Sequence, residues 1–342
     1  MSFTNSIISS GKAIFNNFYG VSGAYFKTSP PPPPPIPPPP IPPPLPYVPI
    51  FNNPVTIVQS TTNAALCYIS TADYVAATRA SGALVSGVPS QNQNPLSGFV
   101  NQSFPGYYNG ITGTNRLGPT AVDYYDYAWW LTGSDSYSFT SMYIFRYFTS
   151  YFTKITTIPY KVTSGHINEM IYFNGKLYIT CIDGILACNA PTDTSTSVNI
   201  SVINGTIQTA YGITFDGDAT MYIGSTDGKI YTLQPPYTGT LQLLLTLPSY
   251  LTTIPNYLGI VSMSFDITNS ILYFVNCDTS SYASETSGPN NASGVYYYNN
   301  LFDTPTLVYS EYTRVGGLYG VRWRPSTQRL YITTIHSLLY LS

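Results

Sequence analysis

Charged residues are scarce in this 342-residue chain, at 8% of the sequence with a formal net charge of −2. Globular domains ordinarily carry about 25% charged residues. Proteins that attract nucleic acid electrostatically need a basic surface, and 13 lysines and arginines against 15 acidic residues do not supply one. We therefore expect no nucleic-acid partner.

Cysteine and histidine are also rare, with four and two residues. The cysteines are Cys67, Cys181, Cys188 and Cys277. They form no Cys-x-x-Cys pair and no Cys/His cluster, so we expect buried small side chains, no metal and no cofactor. A two-residue turn at Asp183-Gly184 would place Cys181 opposite Leu186, and Cys181 and Cys188 would then not face each other.

Long hydrophobic runs are missing as well. No run approaches the length of about 18 apolar residues that a membrane-spanning helix needs. Residues 1–27 lack a basic segment followed by an uninterrupted apolar core, because Lys12 and the Asn16-Asn17 pair fall inside the stretch. We expect neither a membrane span nor a secretory signal peptide.

Proline dominates one segment, residues 30–46, which reads PPPPPPIPPPPIPPPLP. Proline fixes φ and removes the backbone N–H, so this segment predicts a polyproline II rod of about 50 Å. No charged residue occurs from Thr28 to Ala72, which favours a rod that lies against an apolar surface or bundles with copies of itself. The alternatives are a semi-rigid spacer and a ligand for SH3 or WW domains.

The sequence thus predicts three parts: a tail over residues 1–29, a rod over 30–50 and a strand-rich domain over 51–342. The tail carries large apolar side chains that suit an anchor on another subunit better than free solvent. The anchoring candidates in the tail and rod are Ile14, Phe15, Phe18, Ile36, Ile41 and Leu45.

The stretch Tyr211–Leu233 is a template for the rest of the chain. It predicts three short strands, separated by turns at Asp216-Gly217-Asp218 and Thr226-Asp227-Gly228. Related stretches begin near residues 168, 261 and 319, which gives spacings of roughly 43 to 58 residues. Several strands per repeat at this spacing predict an all-β fold, a β-propeller.

The repeats resemble those of NHL-type and gluconolactonase-like β-propellers over about residues 164–342. The residues that carry the resemblance are Tyr211, Gly212, Ile213, Asp216, Met221, Tyr222, Ile223 and Ile230, and in the last repeat Tyr319, Gly320, Val321, Leu330, Tyr331 and Ile332. The last repeat has only three strands, and a segment near Val55–Ser60 is the candidate for its outer strand. Two irregular blades before residue 164 make six in all, with five and seven as alternatives.

The resemblance implies where chemistry would lie. A gluconolactonase-like site would place metal ligands on the propeller axis, and a streptogramin-lyase-like site would place a His–Glu pair there. His166 and Glu169 are the weak catalytic candidates, but the other repeat starts supply no acidic residue. We expect no enzyme activity and read these two residues as strand-end polar groups.

Aromatic residues are abundant, with 33 tyrosines. Adjacent residues on a strand face opposite sides, so aromatic pairs predict that some rings are exposed for protein or glycan contact, and packing between blades is the alternative for roughly half of them. The binding candidates are Trp129, Trp130, Tyr124, Tyr296 and Tyr297.

Together these features predict a structural or interaction protein: an anchored tail, an uncharged rod and an aromatic-rich head. A composition typical of exposed proteins without an export signal favours a virion-surface protein made in the host cytoplasm. We expect a minor capsid, spike or fibre component of a large virus, whose partners are other proteins of the same assembly, copies of itself, and a glycan or receptor. The alternatives are an axial hydrolase or lyase and a cytoplasmic interaction scaffold.

Overall fold

The computed structural model describes the strand-rich domain and not the segments before it. The described residues are 47–59, 67–71, 75–79, 83–87, 99–103, 116–122, 129–134, 142–148, 151–158, 167–181, 184–192, 198–207, 209–253, 257–278, 294–299, 304–310, 318–334 and 337–342. Between residues 56 and 167, side chains are described only for Ala121 and Ile144. The predicted tail, and the predicted rod up to residue 46, lie outside the described residues.

The described strands form six four-stranded antiparallel sheets. Strand β1 (Val55–Gln59) comes first in the chain and belongs to the last sheet. The first sheet is β2 (Cys67–Thr71), β3 (Val75–Arg79), β4 (Ala83–Gly87) and β5 (Phe99–Ser103). The second sheet is β6 (Arg116–Val122), β7 (Trp129–Ser134), β8 (Met142–Phe148) and β9 (Tyr151–Ile158). The third sheet is β10 (Ile167–Phe173), β11 (Lys176–Cys181), β12 (Gly184–Asn189) and β13 (Ser201–Asn204).

The remaining sheets contain the template stretch and its two later relatives. The fourth is β14 (Ala210–Phe215), β15 (Met221–Ser225), β16 (Lys229–Leu233) and β17 (Gln242–Thr246), and a short helix α1 (Ser249–Thr252) follows it. The fifth is β18 (Tyr257–Asp266), β19 (Ile271–Asp278), β20 (Gly294–Tyr298) and β21 (Thr306–Tyr309). The sixth combines β22 (Leu318–Arg324), β23 (Arg329–Thr334) and β24 (Ser337–Leu341) with β1.

The sheets are arranged as a β-propeller, which confirms the predicted fold class. The first strands of successive sheets, β2, β6, β10, β14, β18 and β22, contact one another in turn, and β2 also contacts β22. The predicted repeat starts are therefore the innermost strands. The ring closes as predicted, because β1 pairs with the last strand, β24.

The residues in the turns determine the hairpins of the repeats. Asn174 and Gly175 both have positive φ, 47° and 74°, and join Phe173 directly to its partner Lys176. This is the geometry that a two-residue primed turn requires and that Asn-Gly adopts readily. The turn at Asp216 is held by its own side chain, since Oδ1 accepts hydrogen bonds from the N–H groups of Asp218 at 2.9 Å and Thr220 at 2.8 Å.

The cysteine hairpin differs in register from the prediction. Cys181 pairs with Gly184 instead of Leu186, because Gly184 is already the first residue of β12. Cys188 pairs with Leu177, so Cys181 and Cys188 are not opposite each other, as expected. Cys181, Cys188 and Cys277 are buried, which confirms the expectation for three of the four cysteines. Burial raises the pKa of the Cys188 thiol to about 12.

The described side chains of the fifth sheet pack on both of its faces, as radial stacking requires. In β19, Tyr273 and Phe274 are both fully buried although they face opposite ways. Tyr273 stacks on Trp323 in the cluster shared with the sixth sheet, whereas Phe274 belongs to the cluster shared with the fourth. Among the described residues, the hydrophobic core is therefore a series of layers between neighbouring sheets.

One glycine lies at a close approach between the fourth and fifth sheets. Gly259 in β18 has φ +104°, and a Cβ there would lie 2.4 Å from the Cα of Thr226 and 2.5 Å from the carbonyl oxygen of Ser225. Both contacts are to backbone, so neither sheet can relieve them by a rotamer change.

We expect Gly259→Ala to lower the free energy of unfolding by about 2–4 kcal/mol, because strain and overlap add. Gly239→Ala is the control, since a Cβ there meets nothing within 4 Å, and it should change stability by less than about 0.5 kcal/mol. Urea unfolding followed by tryptophan fluorescence measures both. Equal effects would contradict the close approach.

Candidate functional site at the propeller axis

A buried carboxylate lies among the innermost strands. The Glu169 side chain in β10 accepts three hydrogen bonds, each from a different strand. Oε2 accepts from the Ile213 N–H at 2.7 Å, and Oε1 accepts from the Ser262 hydroxyl at 2.7 Å and from Nη2 of Arg322. Glu169 is 4% and Arg322 7% exposed, so this ion pair is shielded from water.

Arg322 is held by the same group of strands. Its Nη1 donates to Ser262 Oγ at 2.9 Å and to the carbonyl oxygens of Met263 and Val321, both at 2.8 Å. The Ser262 hydroxyl thus donates to the carboxylate and accepts from the guanidinium, and it also accepts from the Val321 N–H at 3.2 Å. One serine uses its donor and both acceptor positions to join the two charges.

A second set of bonds fixes the strand that carries the carboxylate. The Glu169 N–H donates to Thr180 Oγ1 at 3.0 Å, and the Thr180 hydroxyl donates to the carbonyl oxygen of Tyr211. The Asn168 amide donates to the carbonyl oxygen of Ala210 at 2.6 Å. Asn168 therefore joins β10 directly to β14, and Thr180 of β11 joins the Glu169 backbone to the same strand.

The ion pair joins strands that are not neighbours in the ring. The innermost strands β14 and β18 lie between β10 and β22 in the order of contacts. The Glu169–Arg322 contact therefore passes over two intervening strands, which places it at the axis. We call this ion pair the cross-brace, because it connects two innermost strands that do not neighbour each other in the ring.

The electrostatics follow from this position. Burial raises the pKa of the Glu169 carboxyl above its ordinary value, while the Arg322 charge and the hydrogen bonds from Ser262 and Ile213 oppose that shift. A raised pKa in a carboxyl group is also what a general acid needs. Here, however, both oxygens already have protein donors, which occupy three of the roughly four acceptor positions of the carboxylate.

The other predicted catalytic residue, His166, lies outside the described residues, so a His166–Glu169 pair stays a prediction. Among the described residues, no three His, Cys, Asp or Glu side chains are grouped so that they could hold a metal ion. The only helix in the described ranges is α1, and none there is long and apolar enough to cross a membrane.

The predicted aromatic contact residues fall into three groups. Tyr296 and Tyr297 are each 5% exposed, so the expectation that they are exposed is wrong. Tyr296 stacks on Phe274, and Tyr297 packs in the layer on the other side of the sheet, because both faces of β20 are covered. Trp129 and Trp130 are adjacent in β7, but their side chains lie outside the described ones, so their role as contact residues stays a prediction.

The remaining binding and anchoring candidates stay predictions. Tyr124 lies outside the described residues, as do the anchoring candidates Ile14, Phe15, Phe18, Ile36, Ile41 and Leu45.

Arg322 and Ser262 were missed in the sequence. A usable signal was present: Arg322 lies in a short, otherwise apolar run, YGVRW, at the start of a repeat and in a chain with few charges. A charged residue inside a predicted innermost strand needs a buried partner. Glu169 occupies a similar place in an earlier repeat, which makes it the natural partner.

No family model and no curated protein matches this chain. Solved structures do match. A candidate gluconolactonase aligns with a TM-score of 0.53 at 10% identity, over 84% of this chain and 91% of its own. Streptogramin B lyase gives 0.51 at 13% identity, over 85% and 97%. A chain of a nidogen–laminin complex gives 0.50 at 13%, over 76% and 84%. This chain has a β-propeller fold. At these identities the likeness concerns the fold alone.

The axial ion pair predicts strong coupling between residues 153 positions apart. We expect Glu169→Gln and Arg322→Met each to lower the free energy of unfolding by about 3–5 kcal/mol, because each leaves the other group buried without its charge partner. The double variant should lose less stability than the sum of the two single variants, by about 2 kcal/mol or more.

The matched control is the surface pair Lys229–Asp227, whose side chains are 36% and 47% exposed. Asp227→Asn and Lys229→Met should act additively and change stability little, because water screens this pair. A double-mutant cycle by urea unfolding measures both pairs. Additive losses at Glu169 and Arg322 would refute the cross-brace.

Proposed function

We propose that this chain is a structural propeller, a head that makes protein contacts within a larger assembly. The observation that carries the proposal is the use of the axial carboxylate. The Glu169 carboxylate, on an innermost strand, is engaged by Ile213, Ser262 and Arg322. A carboxylate used in this way stabilises the ring, and protein donors already occupy three of its roughly four acceptor positions.

The composition supports a particle-surface setting for this head. A chain with few charges and many tyrosines, in which the proline-rich residues 30–46 come before the strand-rich domain, suits a component that is fixed among neighbours. We propose a minor capsid, spike or fibre protein of a large virus, attached through its tail and rod. The likeness to a chain of a nidogen–laminin complex supports the use of this fold in protein contacts.

The second candidate function is an axial hydrolase or lyase. It is favoured by one observation, the acidic residue on the axis of a fold shared with streptogramin B lyase and a candidate gluconolactonase. In this function a substrate or metal ion would take the remaining acceptor position of Glu169 Oε2 or replace one of the three protein donors. His166 would be its nearest partner in sequence.

The anchoring role predicts that the tail controls incorporation. In the full-length chain, the combined substitutions Ile14→Asn, Phe15→Ser and Phe18→Ser should reduce incorporation into the source particle about tenfold, because they remove the apolar contact area. Tyr250→Ser is the control, since Tyr250 is 73% exposed on α1, far along the chain from the tail.

Quantitative mass spectrometry of purified particles measures the incorporated chain. Incorporation of the triple variant at the wild-type level would refute the anchor, and absence of the wild-type chain from particles would refute the assembly role.

The enzymatic candidate is tested by calorimetric titration of the full-length chain with Ca²⁺ and Zn²⁺. If the axis holds a metal, His166→Ala and Glu169→Ala should each abolish a heat change that wild type shows. We expect no such heat change. A signal that both substitutions remove would favour the enzyme over the structural head.

A further inference from the structure

The dipeptide Asn-Gly occurs at two places among the described residues, Asn174-Gly175 and Asn204-Gly205. A further copy, Asn109-Gly110, lies outside them. An asparagine that is followed by glycine can react with its own backbone, because the glycine nitrogen has no neighbouring side chain to hinder its approach to the asparagine amide. The two described copies share this local chemistry, and the fold holds them in different ways.

Asn174-Gly175 forms the exposed turn between β10 and β11. Both residues face solvent, and a Cβ at Gly175 would meet nothing within 4 Å. Their φ values of 47° and 74° are those of a primed two-residue turn. The carbonyl oxygen of Gly175 accepts a hydrogen bond from the Ala190 N–H at 2.9 Å, so the far side of the turn is held in place.

This turn reaches a reactive geometry when one peptide group rotates. The other primed turn, type II′, joins the same flanking residues and differs in the orientation of the central peptide. Its first central residue has φ of about +60° and ψ of about −120°. The φ of Asn174 is already 47°, and glycine accepts the change of its own φ to a negative value. At that ψ the Asn174 Cβ lies close to the plane of the next peptide, so its Cγ reaches the Gly175 nitrogen.

The second copy is fixed in β13. Asn204 is 5% exposed, and its backbone pairs with Ile185. Its Oδ1 accepts hydrogen bonds from the Thr206 N–H at 3.0 Å and from the Thr206 hydroxyl at 2.6 Å. Its Nδ2 donates to the carbonyl oxygen of Gly239 at 3.2 Å. Attack on this amide would first have to break hydrogen bonds of a buried group, so the fold protects it.

We propose that Asn174 is a self-modification site, at which the folded chain converts its own asparagine to isoaspartate, whereas Asn204 is protected. The Gly175 nitrogen bonds to the Asn174 Cγ, the Cγ–Nδ2 bond breaks, and the proton from the nitrogen leaves with Nδ2 as ammonia. Water then opens the succinimide ring. Cleavage between the nitrogen and the backbone carbonyl carbon gives isoaspartate, and cleavage between the nitrogen and Cγ gives aspartate. Nothing is oxidised or reduced.

The product alters the hairpin that carries the buried carboxylate. Isoaspartate leads the main chain through its side-chain carbon, which lengthens the turn by a backbone atom, and it adds a negative charge to the chain. The turn sets the pairing of Phe173 with Lys176, and Phe173 stacks on Phe215 with 4.1 Å between ring centroids. A longer turn therefore weakens this end of the third sheet.

The first test follows both copies in one sample. The full-length chain is kept in warm, mildly alkaline buffer, and peptide mass spectrometry with isoaspartate-specific detection reads positions 174 and 204. Asn174 should become a mixture of isoaspartate and aspartate, and Asn204 should convert about tenfold or more slowly, because its amide must first be released. The control is the same chain unfolded in urea, where both should convert at similar rates.

The outcomes of this test are decisive, and they do not depend on the proposed function because only the isolated chain is needed. An Asn174 that stays intact in the folded chain, or an Asn204 that converts as fast, overturns the inference. Unequal rates in urea would assign the difference to neighbouring residues in the sequence and would overturn the protection of Asn204 by the fold.

A second test uses Asn174→Gly, which has no side-chain amide at this position. Gly-Gly is also accepted in a primed two-residue turn, so the hairpin is kept. Aged wild type should unfold at a lower urea concentration than fresh wild type, whereas the aged variant should match its own fresh sample. An equal fall in both proteins, or no fall in the wild type, would overturn the effect on the hairpin.

Discussion

The ring depends most on the buried pair of Glu169 and Arg322 at the axis. Removing two charges from water costs several kcal/mol per ion, and only close pairing with further hydrogen bonds offsets that cost. The donors come from β14, β18 and β22, so the carboxylate is satisfied only when all these strands are in place. The pair therefore adds conformational specificity to the ring, in addition to the layered apolar packing between sheets.

Much of the fold could be predicted because its signals are local. Neighbouring residues in the sequence determine the turns at Asn174-Gly175 and Thr226–Gly228 and the strands that flank them. The same pattern recurs in several repeats, so each repeat supports the prediction for the others. Ring closure by β1 was predictable for a topological reason: the last repeat lacks a fourth strand, and an apolar strand early in the chain must supply it. The register at Gly184 was not, since a one-residue change in turn position leaves the composition of a hairpin unaltered.

The candidate site was less predictable because its parts are distant. Glu169 was singled out, but the partner that determines its chemistry is 153 residues away and no local pattern joins them. Tyr296 and Tyr297 show the same limit. Whether a strand of aromatic residues is exposed depends on what covers its two faces, here Phe274 on one side and the sixth sheet on the other.

Closure by β1 has a mechanical consequence. The strand that completes the ring is also the one that directly follows the proline-rich segment, with Asn52 bonded to Ser342 at the junction. Any tension that reaches the head along its N-terminal connection is borne first by the ring contacts of Phe51 with Tyr273 and Trp323 and by the β1–β24 ladder. Strand β1 both closes the ring and is the first strand that a pull from the N-terminal side would reach, so the force that opens the ring from that side is set by the strength of the β1–β24 pairing.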